Sequence, residues 1–372
     1  MFFITFSNLW SFSFFFLFTY LTLLVSFIIY LTPILNSSLR YTTSKTKNEF
    51  FFLNSVDILF LLITPLICLF LSVNLWVSPT TSAWFGHLIV TSFQNKMNLL
   101  IIINFSLTLG IFSLTSYFTS REIYDFTITI FNFFYWIVLL FFSNTIFTTI
   151  FIIEVISTLI FLLLITSTFS SSSFYRNLNL SFGHLFQQST PFSYLQSILY
   201  FFWISLLSSL NLFLFVLFFY IKLFTFDWYL LEHLFTYYTN FTSLKNVITL
   251  GLIWFIFTFC IFIKCGIAPL YIWKPTFFKG IPYYTIFIYI CFFYFFLFLF
   301  IIHLLTSYFS GIFYYYSFIS LLFISIGLIT LLVIICESFY LKAFLAISSI
   351  LNSLFVILAL TVSHKTDIFL WF

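Results

Sequence analysis

An all-α, polytopic membrane protein is the fold class that this chain predicts, and three observations carry it. The 372 residues are 63% hydrophobic and only 6% charged, whereas soluble domains carry about 25% charged residues. Apolar runs of roughly 18–25 residues, the length that crosses a bilayer as a helix, recur along the whole chain. These runs are far longer than barrel strands and do not alternate with period two. A mean hydropathy of +1.19 fits the same class.

The runs fall near 10–32, 53–77, 98–118, 127–146, 148–167, 194–221, 246–273, 281–303, 312–335 and 339–362. Each is expected to be helical, because a backbone in lipid must satisfy its own hydrogen bonds. The first run lacks a small-residue cleavage pattern and is long enough to span, so it is expected to stay as a helix. The fourth and fifth are joined by a tight polar notch at Ser143-Asn144-Thr145. The longest polar segment, 168–193, reads as a loop. Segment 222–245, with Lys222, Asp227, Glu232 and Lys245, reads as a second loop with room for a short interfacial helix. The whole of 1–372 reads as one transmembrane domain, with three helices in 1–120 and the main bundle in 121–372.

Ten spans put alternate connections on one side. Arg40, Lys45, Lys47, Arg121, Arg176, Lys274, Lys279 and Lys342 share one side, and Lys96, Lys222, Lys245 and Lys365 the other. The excess places the first set, and not the termini, on the inside. The net charge of +4 is too dilute for a nucleic-acid partner; lipids are the expected surroundings. Phenylalanine occurs 65 times and tyrosine 23 times, an excess that a bilayer does not require. It matches the codon bias of a very AT-rich genome and points to an organellar gene, with the mitochondrial inner membrane as the natural location.

Lys264 is the most informative residue. It follows an apolar stretch free of charge since Lys245, and Gly266 and Pro269 come directly after it. A lysine at the centre of a membrane helix costs roughly 2.5–3.5 kcal/mol on insertion scales. Proline frees a carbonyl one turn back and glycine loosens the helix. A titratable group beside a helix break is how membrane transporters build ion sites. The bland alternative is a lysine that snorkels to the interface. Glu154, mid-way along the fifth span with no lysine one turn away, is expected to face a charge on another helix rather than lie neutral against a serine. Such a pair can sit near the point of proton exchange.

Lys342, with Glu337 five residues earlier, opens the tenth span and is an accessory candidate for which a structural role is the stronger reading. His303 reads as interfacial and Asp57 as an acid at a helix end. The histidines (His87, His184, His233, His303, His364) are too scattered for paired haem ligation. The five cysteines form no CxxC pair and read as buried thiols. No phosphate loop, Ser-His-Asp arrangement or metal-ligand cluster is legible, so no cofactor is expected in this chain.

With these residues in view, the chain resembles the antiporter-like membrane subunits of respiratory complex I, the NADH dehydrogenase subunit 2 family in particular. That family's longest motif places a phenylalanine and a lysine ahead of Gly-x-x-Pro, then Trp-x-Pro and Gly-x-Pro. Here Lys264, Gly266, Pro269, Trp273, Pro275, Gly280 and Pro282 fall in register with it over about twenty residues. A second motif resembles Ser143-Asn144 through Glu154 to Ser157. A third resembles Tyr340-Leu341-Lys342-Ala343-Phe344-Leu345 followed by Ser348-Ser349-Ile350.

The resemblance implies an antiporter-like fold with a broken seventh helix. It also implies that Glu154 modulates Lys264 as one proton half-channel, driven by quinone reduction elsewhere in the complex. Flavin, iron–sulfur clusters and ubiquinone would belong to other subunits, and the partners would be the other membrane subunits of complex I. Departures stand beside it. The family's eighth-helix lysine falls on Tyr294, its sixth-helix lysine on Leu199 or Tyr200, a phenylalanine-histidine pair on Leu270-Tyr271, and a histidine of the third motif on Asn352. The family continues beyond ten helices, so a separate polypeptide is expected to supply the rest. Two competing expectations are a scaffold subunit of the same complex with an inactive channel, and a stand-alone cation/proton antiporter.

Overall fold

The computed structural model describes 81–83, 86–91, part of 94–107, 122–178, 191–228, 230–231, 233–234, 244–267, 269–336 and 341–362. The first two expected spans, with Asp57, lie outside these residues, as do Glu337 and the C-terminal ten residues. The elements are a two-stranded antiparallel hairpin, β1 (Thr81–Ala83) and β2 (Leu88–Val90), followed by helices. The long helices are α1 (Glu122–Phe142), α2 (Ile146–Leu178), α3 (Pro191–Leu223) and α4 (Leu244–Cys265). After these come α5 (Trp273–Gly280) and α6 (Tyr283–Ile288), then a π-helical segment (Tyr289–Tyr294) that runs on into α7 (Phe295–Ser307). The last helices are α8 (Ser310–Cys336) and α9 (Leu341–Val362). Among the described residues, five stretches are long and apolar enough to cross a membrane: Ile146–Ile165, Leu195–Ile221, Ile248–Cys265, Thr285–Ser307 and Leu341–Leu360. Asn132–Phe142 and Ser320–Ile335 are shorter apolar helices. The protein is a helical membrane protein.

The chain divides into two compact units, Met1–Asn144 with Thr158–Phe186, and Thr145–Ser157 with Gln187–Phe372. In the first, the notch residue Asn144 is held by the hairpin turn. Its backbone N–H donates to the His87 carbonyl (2.9 Å) and its side-chain amide to that of Gly86 (3.0 Å). Gly86 takes a φ of 89° in that turn, a conformation that glycine adopts without steric cost. The hairpin is a small β element in a region the apolar-run count passes over.

In the second unit, Thr145 starts α2 with a reciprocal cap. The Thr148 N–H donates to Thr145 Oγ1 (3.3 Å) and the Thr145 N–H to Thr148 Oγ1 (3.4 Å), a threonine form of the capping box. Ile146 N–H donates to the Phe226 carbonyl, 2.9 Å away. The inward stripe of α3 runs Ser197, Phe201, Ser208, Leu212, Phe215 and Phe219, all buried, at the three-to-four-residue spacing of one helix face. Phe201 packs on Trp273, Phe277 and Tyr289. Phe309, from the α7–α8 corner, packs on Trp228, Trp254 and Phe257.

One loop expectation changes, and the other is met within the described residues. Segment 168–193 is helical at both ends: α2 continues to Leu178 and α3 starts at Pro191. Residues 166–178 hold no glycine or proline. Serine and threonine lower helix propensity only slightly, so an established helix propagates through them. Proline at the first position of α3 costs nothing, because that N–H has no helical acceptor. Segment 222–245 contains the end of α3, an antiparallel bridge from Asp227 to Thr145, and a helical turn starting at Trp228.

Candidate functional site

Residue 266 ends α4, and the cause is local. The Gly266 N–H donates to the Ile263 carbonyl (3.2 Å), and the Ile267 N–H to that of Phe262 (2.9 Å). Gly266 itself adopts φ 61°. These are the bonds of a Schellman ending, in which the residue after the helix takes the left-handed conformation. A second reason excludes a side chain. A Cβ at Gly266 would lie 3.1 Å from Trp273 Cζ2 and 3.1 Å from Lys274 Cδ. Pro269 then lies in the connection, one turn past Cys265, and has no N–H to offer its carbonyl. The 246–273 run is therefore not one continuous helix: it stops at Cys265, and a separate short helix starts at Trp273.

The end of α4 carries Lys264, which is 7% exposed. Its ammonium forms an ion pair with Glu154 Oε1 of α2. The two residues are 110 positions apart in sequence. Ser157, one turn on from Glu154, donates its hydroxyl to the Glu154 backbone carbonyl (2.7 Å) and to Oε2 (3.4 Å). A cation in the last turn of a helix is also favoured by the helix dipole. Two cavities touch Lys264. One of about 40 Å³ is lined by Thr149, Trp228, Phe257, Cys260 and Leu304 among others. The other, about 10 Å³, is lined by Ser157, Phe201, Ser205, Trp273 and Phe293.

The carbonyls released at the end of α4 find side-chain donors across the break. Trp273 Nε1 donates to the Ile263 carbonyl at 3.2 Å, and Lys274 Nζ reaches that of Cys265 at 3.5 Å. Lys274 is 0% exposed. The hydropathy pattern places it among the charges of a water-facing connection, whereas the structure buries it. Its ammonium sits 3.5 Å from the centroid of the Tyr294 ring. Tyr294, buried in the π-helical segment, donates its hydroxyl to the Ser349 carbonyl of α9 at 3.2 Å. Single π turns inside α-helices occur often at functional sites.

The remaining candidates are placed as follows. Lys342 donates to the Ile281 carbonyl at 2.7 Å and lies 4.9 Å from the Tyr283 ring centroid. It ties α9 to the α5–α6 joint and does not meet Lys264. Leu199 and Tyr200 face outward, 47% and 42% exposed, and the inward neighbour is Phe201. His303 pairs with Ser307 Oγ through Nδ1 at 3.1 Å. Asn352 is exposed. Cys260 and Cys265 are buried thiols and Cys291 is half-buried. Sequence reading missed Lys274 as a site residue; the available signal was its place between Trp273 and Pro275, directly after the break. Neither the family models nor the curated proteins contain a match to this chain.

Proposed function

We propose that this chain is a membrane subunit of the proton-pumping arm of a mitochondrial NADH:ubiquinone oxidoreductase, of antiporter-like fold. In this reading it has ten spans and sits in the inner membrane among the other membrane subunits. One observation carries the proposal: the Glu154–Lys264 ion pair at the end of an interrupted apolar helix. The in-register motif from Lys264 to Pro282 supports it. The chemistry needs no bound cofactor. Lys264 holds and releases a proton, and Glu154 sets its affinity by approaching or withdrawing, since an opposite charge favours the ammonium and its loss favours the amine.

The test is Lys264→Met in the assembled complex, reconstituted in vesicles. Fewer protons per electron are expected, with the complex still assembled. An unchanged stoichiometry removes the carrier role. It leaves the scaffold reading, which outward-facing Leu199 and Tyr200 favour. A stand-alone antiporter would instead purify without flavin and iron–sulfur partners under gentle detergent.

A further inference from the structure

Lys274 is a fully buried lysine with no carboxylate partner among the described residues. Among the described residues its ammonium contacts the Tyr294 ring and the Cys265 carbonyl. The carbonyl contact, at 3.5 Å, is at the outer limit for a hydrogen bond. A permanently charged ammonium here would be poorly compensated. The penalty for burying a charge is large, and one desolvated cation–π contact returns only part of it. A permanently neutral amine would be an equally odd choice, because a methionine fills the same space without a polar atom. What lysine alone adds at this position is a proton that can be held or given up.

Position narrows the role. Lys264 and Lys274 flank the same helix ending, and the backbone of Cys265 separates them: Lys264 precedes it, and Lys274 Nζ contacts its carbonyl. Beyond Lys274 the Tyr294 hydroxyl continues to the Ser349 carbonyl of α9. The unit thus holds the Glu154–Lys264 pair on one side of Cys265, and Lys274 with the Tyr294 ring on the other.

We propose that Lys274 is a second proton-binding site, which accepts the proton that Lys264 releases and holds it over the Tyr294 ring. This rests on the carrier role of Lys264. The step balances simply: the Lys264 ammonium becomes an amine, the Lys274 amine becomes an ammonium, and no other bond changes.

The test compares Lys274→Met, Lys274→Arg, Lys264→Met and the double variant K264M/K274M in the assembled, reconstituted complex, reading protons per electron. Methionine removes a poorly compensated charge, so K274M is expected to assemble and to lose the same share of translocation as K264M. Arginine keeps the charge but does not release its proton, so K274R is expected to lose that share too. The double variant should lose no more than either single one. Normal stoichiometry in K274M or K274R overturns the proposal, since a fixed cation or none then suffices. Failure of K274M to assemble also overturns it, because the lysine is then a structural tie. A loss in the double variant beyond either single variant puts the two lysines on separate paths and overturns it as well. Normal pumping in K264M refutes the carrier reading itself, whereas a loss in K264M alone refutes only the role of Lys274.

Discussion

Two helix joints in the second unit, the one after α4 and the one between α5 and α6, use the same parts to different ends. Each presents a carbonyl to a lysine, and each lysine lies near a tyrosine ring. At the α5–α6 joint, Lys342 makes a short 2.7 Å bond to the Ile281 carbonyl, with the Tyr283 ring centroid 4.9 Å away. After α4 the emphasis reverses: Lys274 stands 3.5 Å from the Cys265 carbonyl and 3.5 Å from the Tyr294 ring centroid. Lys342 is half-buried, Lys274 wholly buried. A short charge-assisted bond holds a proton in place and fastens two helices. A long contact shared with a ring leaves the ammonium less committed. The difference teaches that a lysine at a helix break is not by itself a transport element; its bonding decides.

Several substitutions can break or sharpen this contrast. The largest effect on stability is expected from Gly266→Val. The left-handed conformation costs a non-glycine residue about 1–2 kcal/mol, and forcing carbons against Trp273 and Lys274 adds about 1–3 kcal/mol of overpacking. Detergent-solubilised protein carrying it should lose this unit's cooperative melting at a lower temperature; an unchanged melting curve would mean that the break does not depend on glycine. Next comes Lys342→Met, which deletes a hydrogen bond from a charged donor worth about 1.5–3 kcal/mol. It should lower thermal stability and, under the proposed function, leave protons per electron intact. Impaired pumping at normal stability would move Lys342 from the fastening class to the transport class.

Tyr294→Phe ranks third. It keeps the ring under Lys274 and removes the hydroxyl bonded to Ser349, a loss of about 1 kcal/mol. Hydrogen exchange at the α7–α9 contact should rise modestly; no change there would show that the bond contributes nothing. The smallest change is expected from Lys274→Met, near zero in thermal stability, because the lost contacts are offset by the removed desolvation penalty. A large destabilisation would erase the contrast between the two joints.

Much of the site was legible in the sequence, and the reason is the solvent. In an apolar environment a single charge is costly enough to be read from one position, so Lys264 and Glu154 announce themselves within runs that otherwise have none. Gly266 was legible for a related reason, because few residues other than glycine take up a left-handed ending. Lys274 was not legible. A hydropathy window sees it as the first charge after a span, the usual sign of a water-facing connection, and only the fold-back of α5 puts it beneath α4. The serine-rich 166–178 stretch misled in the opposite sense: polarity suggested a loop, while backbone continuity kept it helical.

The sequence by itself therefore determined the membrane class, the helical character of the apolar runs within the described residues, the point where α4 ends, and that Glu154 and Lys264 would each need a partner. These follow from local rules: transfer cost, helix length and backbone sterics. Tertiary structure alone decided that Glu154 reaches Lys264 across 110 residues, that Tyr294 meets a buried lysine, and that Lys342 fastens the joint at Ile281 instead of joining the ion pair. Those outcomes depend on which helix faces meet. A chain so uniformly apolar leaves that choice to the shape of its side chains and the few hydrogen bonds at its breaks, which no single segment reveals.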